Sequence, residues 1–144
     1  MRHVVYLAIV GCLLGCSNED AFIPDRPVYL ERNILTYKLT TPGSYLYIDS
    51  PQLSKDRIGF GGVLIYLDFF GNYRAVDLAC TNERDPNIRI GPPNGNLICT
   101  CETCGEQYDL SNSHPNPLKG IAKGVLRSYR VNLDEARNLI YVRN

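Results

Sequence analysis

The chain has few histidines, no run of basic residues and no long apolar segment, and each of these absences argues against a class of protein. It contains two histidines, His3 and His114, and carries 15 basic against 15 acidic side chains. A near-neutral balance without a basic run argues against nucleic acid as a partner. A nucleophile–histidine–carboxylate set is not indicated either, because no Gly-x-Ser-x-Gly turn is present. The sequence therefore favours neither a nucleic-acid-binding protein nor a hydrolase of that type.

The longest apolar run lies at the start of the chain and is short. Arg2 and His3 precede an apolar stretch from Val4 to Leu14, which is shorter than the ~20 residues that a membrane-spanning helix needs. A basic start, a short apolar run and a small residue before a cysteine are typical of a secretory signal peptide. We therefore interpret residues 1–15 as a lipoprotein signal peptide. The alternative is a buried apolar segment with two incidental cysteines.

The sequence LLGC, which ends at Cys16, resembles a bacterial lipobox, in which the cysteine receives a diacylglycerol and becomes the new N-terminus. The polar residues SNED follow at once. Acyl chains contribute about 0.8 kcal/mol per buried methylene, so a lipidated Cys16 would anchor the chain without a membrane-spanning helix. Residues 16–27 are then predicted to form a lipidated tether. The predicted location is the cell envelope, at the outer membrane, with the periplasmic and surface faces both left open.

Residues 28–144 have the size of one ordinary domain. Short stretches of β-branched and aromatic residues alternate with polar ones and are separated by glycine and proline, which predicts strands throughout. The apolar run GVLIYLDFF at 62–70 predicts a central strand covered on both faces, and Gly71-Asn72 predicts a hairpin turn after it. LTYKL at 35–39 is also predicted as a strand, and LDEAR as a turn. The predicted fold class is all-β.

Four cysteines lie in this domain, in or beside two predicted loops. Cys80 ends the predicted hairpin, and Cys99, Cys101 and Cys104 lie in the segment LICTCETCGEQYDL. In an exported protein such thiols tend to oxidise unless a metal holds them. Cys101-x-x-Cys104 has the spacing of a zinc-binding pair. A thioredoxin-like dithiol is not favoured, because its motif should open a helix, whereas a strand is predicted here.

The two loops and their flanking strands resemble the Rieske domain, in which a C-x-H loop and a C-x-x-H-G loop hold a [2Fe–2S] cluster. YRAVDLACTN and LICTCETCGEQYDL match the two ligand loops, and GFGGVLIYL and PLKGIAKGVLRSYRVNLDEARNLIYV match the strands around them. The resemblance covers residues 58–144, and the chain is similar in addition to Rieske-fold lipoproteins of bacteria. It implies an antiparallel β-sandwich with the two cysteine loops at one tip.

The ligand positions depart from the pattern of that family. In this alignment Cys80 and Cys101 occupy the two cysteine positions, Asn82 occupies the first histidine position and Cys104 the second. A Rieske centre owes its raised potential to two imidazoles on one iron. His114 lies beyond the second loop, in SNSHPNP, where a solvated turn residue is the ordinary explanation. A Rieske cluster with its usual ligands is therefore not predicted.

Three chemistries stay open for these sulfurs. The first is a disulfide from Cys80 to Cys101 or Cys104, which the facing loops of the family would allow with little backbone movement, and which involves no cofactor. The second is an all-sulfur [2Fe–2S] cluster on Cys80, Cys101 and Cys104, with Cys99 as a fourth ligand. The third is a zinc ion on four thiolates. Cys99 precedes the second loop and is the sulfur that we expect to be left over.

The predicted function is a membrane-anchored, disulfide-stapled binding or structural module of Rieske-like fold, without enzymatic activity. The alternative is a [2Fe–2S] electron-transfer protein that serves as a component of an oxidoreductase. The sequence indicates the membrane as a partner, through the lipid on Cys16, and indicates no particular protein partner.

Overall fold

The computed structural model describes residues 23–144, and within that range the chain forms ten strands and no helix. The strands are β1 (Val28–Asn33), β2 (Tyr45–Ile48), β3 (Arg57–Ile58), β4 (Val63–Leu67), β5 (Tyr73–Asp77), β6 (Ile98–Thr100), β7 (Gln107–Asp109), β8 (Asn116–Pro117), β9 (Ser128–Asp134) and β10 (Leu139–Arg143). The predicted all-β class is confirmed. The signal peptide predicted for residues 1–15 and the predicted lipidation site Cys16 lie outside the described residues.

The strands form two antiparallel sheets. Seven strands follow the order β2-β4-β5-β9-β10-β1-β3, and a small sheet has the order β6-β7-β8. β4 and β5 pair from Val63↔Asp77 to Leu67↔Tyr73, and Gly71 takes a φ of +84° in the turn between them. The hairpin predicted at this glycine is therefore present. The turn predicted from LDEAR is also present, because residues 135–138 connect β9 to β10.

Strand β4 lies between two apolar clusters. Leu64 and Tyr66 belong to one cluster, together with side chains of β6 and β7 from the small sheet. Val63 and Ile65 belong to the other cluster, together with side chains of β1 and β10. The large sheet curls, so that β1 and β10 pack against this face of β4. Successive side chains of a strand point to opposite faces, so all five residues of β4 are buried. This is the strand covered on both faces that the sequence predicted, but it ends at Leu67, and Phe69 and Phe70 of the predicted run are exposed.

Residues 35–39 form a turn, so the strand predicted there was wrong. Asn33 Oδ1 accepts hydrogen bonds from the backbone N–H groups of Leu35 and Thr36 at 3.0 and 3.1 Å. This side chain thereby engages backbone donors that a strand would offer to its neighbour. Leu39 is fully buried and packs in the second apolar cluster. The apolar residues of this pattern therefore reflect the burial of Leu39 and not pairing with a neighbouring strand.

Contacts with the domain begin inside the segment that was predicted as a tether. Ile23 is buried. Asp25 forms an ion pair with Arg127 at 2.7 Å, and Arg127 Nη1 donates to the carbonyl of Ile23 at 3.1 Å. Among the described residues, the structure contains no helix with the length and apolar character needed to cross a membrane.

Candidate metal centre

A short strap, residues 88–91, holds the two cysteine loops side by side. The first loop (residues 80–84) follows β5, and the second loop (residues 101–105) follows β6. Cys80 N donates to the carbonyl of Ile88 at 3.0 Å, and Ile90 forms an isolated antiparallel bridge with Cys101. The strap therefore pairs with both loops and fixes the distance between them.

Three of the four predicted sulfurs converge at this point. The Sγ atoms of Cys80, Cys101 and Cys104 all lie within 4.8 Å of one another. Cys80 Sγ and Cys104 Sγ are 3.6 Å apart. Cys80 and Cys101 are fully buried, whereas Cys104 is partly exposed. Sulfurs bound to one zinc ion at 2.3 Å are separated by about 3.8–4.0 Å, so these three residues could hold a metal ion with small side-chain adjustments.

Cys99 is the sulfur that does not join the group. It lies in β6 opposite Tyr108 of β7, and it packs in the apolar cluster that contains Tyr66. Burial in this apolar environment raises the pKa of Cys99 to about 12. Cys99 is therefore a neutral side chain of the core, although only Thr100 separates it from the loop that carries two ligands.

The second loop directs backbone N–H groups at its own sulfurs. The amides of Thr103 and Cys104 donate to Cys101 Sγ, and the amide of Glu106 donates to Cys104 Sγ. Gly105, at a φ of +80°, lets the chain turn, and its N–H bonds to the Cys101 carbonyl at 2.8 Å. Hydrogen bonds from amides favour a thiolate over a thiol. The loop is thus shaped to support negatively charged sulfur.

Cys80 is the thiol that most readily ionises in this group. Burial would raise its pKa, but hydrogen bonds outweigh burial and lower it below the usual value. The strongest is with Tyr108, whose Oη lies 3.5 Å from Cys80 Sγ. The backbone amide of Glu83, the thiol of Cys101 and the backbone amide of Asn82 also donate to it. A thiolate at Cys80 is therefore surrounded by donors.

The pKa values of the other two thiols are raised and not lowered. Burial, together with hydrogen bonding to Cys80, raises the pKa of Cys101 to about 12. Burial likewise raises the pKa of Cys104, and so does its interaction with Cys80. Among the three, Cys80 is thus the thiol whose anionic form is favoured, whereas Cys101 and Cys104 hold their protons more tightly. A metal cation would displace those protons, because thiol ligands bind in their deprotonated form.

Tyr108 was not predicted as a site residue, although it lies in the aromatic position of the quoted second-loop segment. It is fully buried. Its Oη also lies 2.9 Å from Thr81 Oγ1, which in turn donates to the carbonyl of Gly124 at 2.8 Å. Tyr108 Oη thus contacts Cys80 and Thr81 together, and the ring holds the first loop against the small sheet.

Glu106 is a second residue that sequence analysis missed. It is fully buried, and its carboxylate accepts four backbone hydrogen bonds of 2.6–2.9 Å, from Gln107, Lys119, Ile121 and Ala122. Burial alone raises the pKa of a carboxyl group, but these amides outweigh it and lower the pKa of Glu106. Its carbonyl accepts from Cys101 N at 2.8 Å. Glu106 therefore anchors the end of the second loop to residues 119–122. A lone glutamate carries no sequence signal of this role.

Neither Asn82 nor His114 completes the group of sulfurs. Asn82 is exposed, and its Nδ2 donates to Glu83 Oε1 at 3.0 Å. His114 is exposed in its loop, with Nδ1 3.1 Å from Ser113 Oγ. The position that resembles the first histidine ligand of a Rieske domain thus carries a solvated amide.

A [2Fe–2S] cluster with four protein ligands does not fit the described residues. Such a cluster needs two ligands on each iron, whereas three sulfurs converge here and Cys99 lies in the core. Moreover, Cys80 and Cys104, which would bind different irons in the Rieske alignment, are only 3.6 Å apart. The arrangement matches a single metal ion better. All four described cysteines are free thiols, so the predicted disulfide is not formed in this structure.

Comparisons with other proteins add no relative to this picture. No protein-family model, no curated protein and no solved structure matches this chain. The resemblance to the Rieske family therefore stays a prediction from the residues quoted for it, and the sulfur geometry is the basis for assigning a function.

Proposed function

We propose that this protein is a metal-binding module in which Cys80, Cys101 and Cys104 hold one thiophilic ion, zinc in the first place. The observation that carries this proposal is the convergence of three sulfurs within 4.8 Å of one another, on two loops joined by a common strap. Thiolate sulfur selects zinc or iron over magnesium and calcium. Three protein ligands leave one position of a tetrahedral ion open.

The direction of the backbone amides supports a metal over a disulfide. Two amides donate to Cys80, two to Cys101 and one to Cys104. Three thiolates, two of them fully buried, would be costly without compensation, and the amides together with the cation supply it. A disulfide carries no charge that such donors could stabilise. The loops are therefore preorganised for charged sulfur.

The ion would act first as a cross-link between the loops. The first loop extends from the large sheet and the second from the small sheet, so a shared metal joins the two. Because the ligands must lose protons and come together, binding would be coupled to the order of both loops and would strengthen with pH.

With the lipid predicted on Cys16, this module would lie at the envelope membrane. Loss of fatty-acid labelling in Cys16→Ser would test that location.

The proposal is tested by metal analysis of the full chain purified anaerobically under reducing conditions. We expect about one zinc or iron per chain after reconstitution, with three thiols protected from a thiol reagent. Cys104→Ser should lose the metal, while Cys99→Ser, the matched control, should retain it because Cys99 lies in the core. A wild-type chain that binds no metal under these conditions would contradict the proposal.

A second candidate, the disulfide-stapled structural module, is favoured by one observation. Cys80 and Cys104, which are 24 residues apart in the sequence, have sulfurs 3.6 Å apart, about 1.5 Å longer than a disulfide bond. Closing such a loop would stabilise the domain by about 3 kcal/mol. The protein would then be metal-free, and reduction would lower its melting temperature by about 10 °C. Non-reducing mass spectrometry would detect a Cys80 peptide linked to the second loop. Acid-labile sulfide would instead support the [2Fe–2S] electron-transfer function.

A further inference from the structure

The two cysteine loops have the same backbone conformation, although their sequences, CTNER and CETCG, share only the first residue. In the first loop Arg84 N donates to the carbonyl of Cys80 at 2.9 Å, and in the second Gly105 N donates to the carbonyl of Cys101 at 2.8 Å. The fifth residue is left-handed in both, with φ of +53° at Arg84 and +80° at Gly105.

The amides of the two loops also point to equivalent atoms. In the first loop the third and fourth residues, Asn82 and Glu83, direct their N–H groups at the sulfur of the first residue. In the second loop the third and fourth residues, Thr103 and Cys104, do the same. The two loops therefore share one turn, related residue by residue.

Strain in the first loop indicates that this conformation is maintained at a cost. A left-handed conformation is free for glycine, but for a residue with a Cβ it costs on the order of 1–2 kcal/mol. Arg84 adopts it where Gly105 stands in the second loop. The first loop thus keeps the shape of the second loop, which carries two of the three converging sulfurs, although its fifth residue disfavours that shape.

The equivalence gives Glu83 the position that Cys104 holds in the second loop. Glu83 is half-buried, and its Oε1 accepts one hydrogen bond from the exposed Asn82. Its carboxylate lies outside the group of mutually close ligand atoms, so coordination requires rotation of its side chain. Carboxylate oxygen is an ordinary zinc ligand at about 2.0–2.2 Å, and a glutamate side chain is longer than that of cysteine.

We propose that the Glu83 carboxylate is the fourth ligand, which closes a site of three thiolates and one carboxylate oxygen on a single divalent ion. This inference rests on the proposed metal-binding function and names the ligand in the position that the three sulfurs leave open. Coordination exchanges the hydrogen bond from Asn82 for a bond to the metal. The site then carries four anionic ligands.

The test begins with Zn²⁺ and Co²⁺ titrations of the reduced full chain. Glu83→Gln should weaken binding by at least about 10–100-fold, the loss caused even by partners outside the coordination sphere. The control is Glu102→Gln, since Glu102 is an exposed glutamate of the second loop at a position that is not a ligand in either loop. It should bind as the wild type does. Circular dichroism of both variants would show that the fold is retained.

Glu83→Cys provides a test that does not depend on a loss of metal affinity. It should bind Co²⁺ more tightly than the wild type, and the sulfur-to-cobalt charge-transfer absorbance should rise by about one third, from three thiolates to four. If Glu83→Gln binds as the wild type does and Glu83→Cys adds no thiolate to the cobalt spectrum, the inference fails and the three-sulfur site stands. If the wild type itself binds neither ion, the proposed function fails, and the inference fails with it.

Discussion

The large sheet and the cysteine loops are held together by different kinds of contact. Four strand pairs of the large sheet run for four or five residues each, and two apolar clusters cover both faces of β4. The loops have only isolated bridges, and they depend on hydrogen bonds from backbone to sulfur and to carboxylate. Apolar burial tolerates exchange of one side chain for another of similar volume, whereas a buried polar network depends on every member. The loops are therefore the more specific and more fragile region.

Both regions nevertheless contain buried carboxylates, and one from each, Asp56 and Glu106, makes the comparison testable. In the large sheet Asp56 pairs with Arg32 at 2.7 Å, and both side chains are almost fully buried. Beside the loops Glu106 accepts only backbone amides. One carboxylate faces a cation and the other faces neutral donors, so their removal should have different consequences.

The largest effect is expected for Asp56→Ala, which leaves the Arg32 guanidinium buried without its partner. Removal of one member of a buried ion pair costs about 3–5 kcal/mol. The control is Glu31→Ala, because the pair of Glu31 with Lys55 is open to solvent on the lysine side and only half-buried on the other, and surface pairs contribute about 0–1 kcal/mol. Urea unfolding of both variants gives the two values. A loss near that of the control would show that Arg32 finds another partner.

A loss of about 3 kcal/mol is expected for Glu106→Gln. The exchange removes a charged acceptor of four amides and places an NH₂ group against donors, and an unsatisfied buried donor costs about 1–3 kcal/mol. Unlike Asp56→Ala, this variant should also weaken metal binding, because Glu106 anchors the second loop. If the variant is destabilised but binds Zn²⁺ as tightly as the wild type, Glu106 stabilises the fold without supporting the metal site.

The same carboxylate predicts an acid dependence. The pKa of Glu106 is lowered in the folded chain, so the unfolded chain binds the proton more readily. Its contribution to stability is therefore full above the ordinary carboxyl pKa of about 4.3 and is lost as the pH falls below that value. Urea midpoints from neutral pH to pH 3 should fall less steeply for Glu106→Gln than for the wild type. They should not become flat, because the pKa of Asp56 is lowered as well.

Metal loading should affect the loops more than the large sheet. An ion present at about 100 times its dissociation constant stabilises the folded state by about 2.7 kcal/mol, and a chelator should remove that increment. Hydrogen exchange should then accelerate in residues 80–84 and 101–105 and remain slow in β4 and β5. Equal acceleration in both regions would mean that the domain unfolds as one unit and that the loops have no separate stability.

The smallest effect is expected for Gly105→Ala. A Cβ at this position would contact nothing within 4 Å, so only the positive φ of the turn opposes it. We expect a loss of about 1 kcal/mol and a weaker metal site. Gly95→Ala is the matched control, since a Cβ there also meets nothing and its φ is not positive. A loss no larger at Gly105 than at Gly95 would show that the turn can relax.

Part of this architecture could be predicted because it depends on neighbours in the chain. The central strand β4 and its hairpin follow from a continuous apolar run and a glycine turn, which are local signals. The turn at residues 35–39 could not be predicted in this way. There the side chain of Asn33 engages the backbone, and nothing in an alternating pattern distinguishes that competition from a strand.

The site divides in the same manner. The spacing of Cys101 and Cys104 indicates by itself that both sulfurs belong to one turn, because two residues between ligands suit a shared ion. Spacing alone did not fix the place of Cys99, because a cysteine two residues before a ligand shares its face of a strand. We expected it to be left over only because it precedes the second loop. Only the end of β6 at Thr100 and the cluster around Tyr66 direct Cys99 to the core.

The sequence by itself determined the all-β class, the places of the main strands along the chain and the two segments that carry sulfur, because each depends on local periodicity and turn chemistry. The tertiary structure decided how closely the sulfurs approach, how their pKa values separate and which groups surround them. Cys80 approaches Cys104 across 24 residues of chain, and Glu106 reaches amides up to 16 residues away. Residues this far apart in the sequence are brought together by the packing of one sheet on another. The chemistry of the thiols therefore follows from the fold and not from their spacing in the sequence.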